Sequence, residues 1–156
     1  MAKLTAGWFT FTCCEDSTIL FTEILNTHWQ EWTKAIDFKY AKTLRNSKGI
    51  GPMDIAFVEG AISSASQAEK LKQIRELSKT LVAIGACAVT GQPSAQRNQF
   101  TTEQLEAIKP ILERFSYNEK VQRLDEIVKV DFSVPGCPMD EQKFITLINK
   151  IIGEAK

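Results

Sequence analysis

Every cysteine in this chain stands just beyond a strand-like run. Leu4 to Thr12 is β-prone throughout and stops at the adjacent pair Cys13-Cys14. Leu81-Val82-Ala83-Ile84-Gly85-Ala86 leads into Cys87, and an alternating run from Glu126 to Phe132 is followed by Val134-Pro135-Gly136-Cys137-Pro138. There are four cysteines in all. If those strands are parallel, the four thiols converge on one sheet edge, where open α/β sheets place their chemistry. Convergent thiols in a small protein point to a metal centre.

The rest of the chain supplies the helices that parallel strands need. Asp16 or Ser17 is suited to cap a helix reaching about Lys34, with Leu20, Phe21, Ile24 and Leu25 forming an apolar stripe. Ile36 to Tyr40 alternates like a short, half-exposed strand. Asp54 to Gly60 is a nearly continuous apolar run, typical of a buried parallel strand. Ser66 and Glu69 have capping-box spacing ahead of Leu71, Ile74 and Leu77. Residues 88–100 read as loop. Thr102 to Phe115 reads as a helix that Pro110 should end or kink. Asp140 is placed to cap a last helix with Phe144, Leu147, Ile148 and Ile151 on its core face. Strands alternating with helices predict an α/β fold with a doubly wound parallel sheet, one domain over residues 1–156.

Charge excludes several partners. Nineteen basic and 19 acidic side chains leave zero net charge, with no dense run of one sign, so no nucleic-acid footprint is expected. No apolar stretch approaches the roughly 18 residues of a membrane span, so no direct membrane insertion is expected. The N-terminal run is interrupted by Thr5 and Thr10 and lacks a signal-peptide pattern. The expected location is cytoplasmic, where reduced cysteines serve as ligands or nucleophiles more often than as disulfides.

Soft thiolates suit zinc, copper(I) or iron–sulfur clusters. Structural zinc sites favour close C-x-x-C pairs, whereas iron–sulfur ligands are often scattered. Gly85 and Gly136 beside the cysteines would let a cofactor approach the backbone, and Pro135 and Pro138 stiffen the last turn. Neighbouring strand side chains point to opposite faces, so Cys13 and Cys14 can share one centre only if the backbone leaves extended geometry there. A lone cysteine such as Cys87 is equally often a small buried hydrophobe.

Four blocks carry a family resemblance. They are the strand ending in Cys13-Cys14-Glu15, the turn Val58-Glu59-Gly60, the block Gly85-Ala86-Cys87-Ala88-Val89-Thr90-Gly91, and Val128-Lys129-Val130-Asp131 leading to Val134-Pro135-Gly136-Cys137-Pro138. With Arg97-Asn98, they make the chain resemble the small, electron-transferring subunit of nickel–iron hydrogenases, itself related to the cluster-bearing 20 kDa-type subunit of respiratory complex I.

The resemblance implies a flavodoxin-like fold and one proximal 4Fe–4S cluster held by Cys13, Cys14, Cys87 and Cys137. It implies a large partner subunit carrying the nickel–iron centre, where hydrogen is oxidised or protons are reduced. A flavin or ferredoxin-like subunit would take the electrons onward. Glu15 would lie near the subunit interface, and Glu59 would position the first loop by hydrogen bonding. With no further cysteines, the chain would hold one such cluster and no C-terminal extra-cluster domain.

Two positions depart from the hydrogenase pattern. The usual first C-x-x-C is replaced by the tandem pair, with Phe11 at the first cysteine's place, as in the complex I subunit; Met139 stands where a second proline is usual. Three ligands with Cys13 as a bystander therefore remain an alternative. So does a complex I-like or membrane-hydrogenase-like subunit passing electrons to quinone or an ion-pumping module. A third is a cluster-free flavodoxin-like interaction protein. His28, the sole histidine, reads as an ordinary helix residue, and Gly49-Ile50-Gly51 as a turn. Trp8, Trp29 and Trp32 read as core or interface, and an exposed Trp32 would suit a subunit contact.

Overall fold

The computed structural model describes residues 3–47 and 49–154; the expected domain limits reach residues 1, 2, 155 and 156, outside that range. Five strands form one sheet in the order β2-β1-β3-β4-β5, every neighbouring pair parallel. They are β1 (Leu4–Thr10), β2 (Ile36–Ala41), β3 (Met53–Glu59), β4 (Ser78–Ile84) and β5 (Phe132–Val134). The connections include α1 (Asp16–Ala35), α2 (Ala65–Leu77), α3 (Gly85–Thr90) and α4 (Thr102–Arg114), and α5 (Glu141–Glu154) closes the chain. This is the doubly wound α/β sheet expected of a flavodoxin-like fold.

Strand order reverses between β1 and β3. The crossover through α1 runs one way and that through α2 the other, so right-handed connections put these helices on opposite faces. Period-two side chains sort the core accordingly. Trp8, Ile55, Phe57, Val82 and Ile84 join Phe21 of α1 and Phe144 of α5. Ala56, Val58, Leu81 and Ala83 join Leu71 and Ile74 of α2. The first layer is aromatic. Trp8 stacks on Phe21 at 4.3 Å between ring centroids, and Phe144 presents near-perpendicular rings to Trp8, Phe21 and Trp32 at 5.9, 5.9 and 6.1 Å.

Several boundaries differ from the sequence expectation. β1 stops at Thr10, and β4 starts at Ser78 and ends at Ile84, so Cys87 stands in a short helix rather than at a strand end. Residues 126–131 are not a strand. Asp131 N–H still donates to Leu81 O at 2.9 Å, but its carboxylate accepts Leu81 N–H at 2.9 Å and pairs with Arg75, so a side-chain bond replaces one of the two backbone bonds at the β4 edge. The alternation of Val128 and Val130 reflects packing against the α2 layer instead. α2 is capped by Ser64, whose hydroxyl accepts Gln67 N–H, two residues before the expected Ser66.

α4 runs unbroken through Pro110. It lies at the surface without one buried residue, so the lost hydrogen bond perturbs no packing. Trp32 is fully buried and Trp29 is the exposed tryptophan, reversing the expected contact residue. Asp140 caps α5, its carboxylate accepting Lys143 N–H at 3.0 Å. Among the described residues no helix is long and apolar enough to cross a membrane.

Candidate metal centre

Four cysteines from three separate stretches line one cleft at the carboxyl edge of the sheet, with Asp16, Ser17 and Glu59 among its other walls. The tandem pair reaches it because the chain abandons extended geometry. Thr12 is held by an antiparallel bridge to Ala61, Cys13 sits in a bend, and Glu15 adopts φ +66° at the start of α1. Neither Asp16 nor Ser17 caps this helix; Asp16 is its first residue, and Glu15 closes it through backbone shape alone. Consecutive side chains thus turn into the same space.

Three hydrogen bonds tie the cysteine loops to one another. Ser94 Oγ donates to Thr12 O at 2.9 Å, joining the stretch after Cys87 to the first loop. Ala86 N–H donates to Gly136 O at 2.7 Å, joining the third and fourth cysteines' loops. Met139 N–H donates to Ser17 Oγ at 3.1 Å, closing the ring back to α1. A fourth fastening lies beneath. The Glu59 carboxylate, buried at the end of β3, accepts Ser17 N–H at 3.0 Å and Thr18 Oγ–H at 2.6 Å. Thr18 Oγ in turn accepts Trp8 Nε1–H at 2.8 Å, so the aromatic core and the first cysteine loop share one polar thread.

The glycines beside the cysteines make room for the chain itself. Gly136 holds φ +120°, and a Cβ there would stand 2.5 Å from Pro138 O; at Gly85 it would meet Ser17 Oγ at 3.0 Å. Gly136→Ala should therefore cost about 2 kcal/mol or more through backbone strain. Thermal unfolding should show this as a Tm about 4–8 °C lower. An unchanged Tm would mean that the Cys137 turn relaxes freely.

All four thiols are free. Cys14 Sγ, Cys137 Sγ and an Asp16 carboxylate oxygen lie within 4.8 Å of one another at the exposed rim. Cys87 is buried, with Ser94 Oγ 3.2 Å from its sulfur. Burial, then the negative charge of Glu59, pushes the Cys13 thiol up to about 12. Cys137 is also raised, by desolvation first and then by Cys14 and Asp16. Glu15 is exposed beside the cleft. His28 stacks on Trp32 at 4.7 Å and does not line it. Arg97 and Asn98 hold the neighbouring 118–121 segment instead, Asn98 making paired bonds to Val121 at 2.7 and 2.8 Å.

Asp16, Ser17 and Ser94 escaped the sequence reading. Asp16 and Ser17 carried a signal for capping, not for the cleft, and Ser94 carried none. A wider hollow has no thiol among its described lining residues. It is a space of about 610 Å³ floored by Phe9, Phe11 and Tyr40, with Lys42 and Lys70 at its rim. The cleft's donors are chemically distinct: four soft sulfurs from three loops, which fit a group binding several thiolates.

The family model described as NADH ubiquinone oxidoreductase, 20 kDa subunit, matches residues 13–151. The NAD-reducing hydrogenase HoxS subunit delta of Cupriavidus necator is 31% identical over 116 residues, 63% of this chain and 54% of that protein. The sulfhydrogenase 2 subunit delta of Pyrococcus furiosus is 27% identical over 143 residues, 87% of this chain and 55% of that protein. The chain thus spans about half the length of these curated relatives. A chain in the crystal structure of an NAD+-reducing [NiFe]-hydrogenase superposes with a TM-score of 0.85 at 27% identity, covering 98% of this chain and 93% of that one. A Ni-Fe-Se hydrogenase chain from Desulfomicrobium baculatum, at 16% identity and TM-score 0.63, shares the fold over 93% of this chain and 60% of its own.

Proposed function

This chain belongs to the family of the NADH ubiquinone oxidoreductase 20 kDa subunit, and on that premise we propose that it is the electron-transfer small subunit of a soluble, cytoplasmic nickel–iron hydrogenase. The observation that carries the reading is the convergence of all four thiols on one cleft. Likeness to hydrogenase chains over nearly the whole length supports it. Cys13, Cys14, Cys87 and Cys137 would hold one 4Fe–4S cluster, which supplies one-electron transfer when bound. Hydrogen chemistry belongs to a large partner subunit, and a flavin or ferredoxin-like subunit lies on the outward side.

The chain's own residues have definable tasks. The ring of loop-to-loop hydrogen bonds sets the spacing of the sulfurs before any group binds. Glu59 fixes the start of α1, and with it Cys14, through Ser17 and Thr18. The thiols of Cys13 and Cys137, both raised by desolvation and neighbouring negative charge, would give up protons when a cation is bound, so loading would release protons. Glu15 and Asp16 place negative charge at the exposed rim, where a partner would dock.

The tandem cysteines favour a second reading, an iron–sulfur subunit that passes electrons towards quinone or an ion-pumping module. An anaerobic affinity pull-down from the native host, with metal analysis, separates the two. Nickel and iron arriving with a large subunit is the expected result. Iron without nickel beside a large partner would shift the assignment to the second reading. Neither iron nor partner would overturn both.

A further inference from the structure

Ser94 stands where one hydroxyl has two acceptors. Its oxygen lies 2.9 Å from Thr12 O and 3.2 Å from Cys87 Sγ. A serine hydroxyl has one hydrogen, so the two acceptors compete for it or share it. The hydroxyl is partly buried, and the sulfur beside it belongs to a buried cysteine, where water competes weakly. The local chain is built to hold it there. Gly91 turns at φ +82°, Ala95 N–H returns to Gly91 O at 2.8 Å, and the Ala95 side chain is buried beside Cys87 in the same small apolar cluster.

We propose that Ser94 is a positioning residue that tunes the reduction potential of the group held by Cys87, by donating its hydroxyl hydrogen to that sulfur. The inference rests on the cluster reading given above. A neutral thiol is a weak acceptor, and beside it the hydrogen is directed to Thr12 O. Negative charge on the sulfur makes it the stronger acceptor, since hydrogen bonds to charged groups exceed neutral ones. The bond therefore strengthens as electron density at the sulfur rises. It stabilises the reduced state more than the oxidised one and raises the potential. The partner acceptor, Thr12 O, lies next to Cys13, so two ligand loops compete for the same hydrogen.

The test is a redox titration followed by electron paramagnetic resonance on the intact heteromer, with iron and sulfide measured in each variant. Ser94→Ala should keep its iron and titrate at a lower potential. A tenfold shift in the one-electron equilibrium is expected, which is about 59 mV. Ser94→Thr keeps the hydroxyl and should restore the parent value. Ser94→Cys, a weaker donor, should fall between them. Equal potentials in the parent and in every iron-loaded variant would overturn the inference while leaving the cluster reading intact. A parent heteromer without a signal from this subunit, and without its share of iron and sulfide, would overturn both.

Discussion

Cys137→Ser should purify as a folded chain that has lost its iron and labile sulfide. The sulfur is exposed, and substitutions at such positions usually change stability by less than about 0.5 kcal/mol. Circular dichroism and Tm should therefore match those of the metal-free parent, so that lost metal is read as a lost ligand. A serine hydroxyl offers a hard oxygen that stays protonated near neutrality, where the site needs a thiolate. Cys87→Ser should lose the metal as completely, with added destabilisation because that side chain is buried. Full iron and sulfide retention in both variants would remove the ligand assignment. Retention in Cys13→Ser alone would leave three ligands and a bystander, the alternative that the tandem pair raises.

Phe144→Ala should be among the most destabilising single changes in the core. The ring is fully buried and packs against Trp8, Phe21, Trp32 and Phe57. Truncation removes its apolar surface from the core and opens a cavity ringed by rigid aromatics that cannot collapse. The expected loss is about 3–5 kcal/mol. Thermal unfolding should register it as a Tm lower by roughly 6–20 °C. A smaller loss would mean that α5 can move in to fill the space. Because Trp8 is tied through Thr18 to Glu59, the cavity also tests whether the core supports the first cysteine loop.

The sheet was legible because its signals are local. Apolar runs ended by glycine or cysteine, separated by amphipathic stretches, leave few topologies open. Boundaries were less legible wherever side chains take over backbone roles. Asp131 occupies the β4 edge with its carboxylate, and residues 127–130 alternate for packing rather than pairing. Gly85 opens a helix under Cys87 because its positive φ ends the strand, which composition alone does not reveal. Convergence of the cysteines followed from parallel topology. The serines that brace them did not, since Ser17 and Ser94 act across 122 and 82 positions of sequence separation. Trp32 and Trp29 show the same limit: one helix carries both, and only the placement of α5 decides which is covered.

The cleft has an inside and an outside. Cys13 and Cys87 are its inner sulfurs, while Cys14 and Cys137 are exposed at the lip. Its walls are braced by hydrogen bonds between the loops that carry them. A cluster held as proposed would have to enter past the two outer cysteines. A large subunit drawing electrons through the same short path would cover that lip. On the proposed reading, the doorway for loading and the seat for the partner would be one surface.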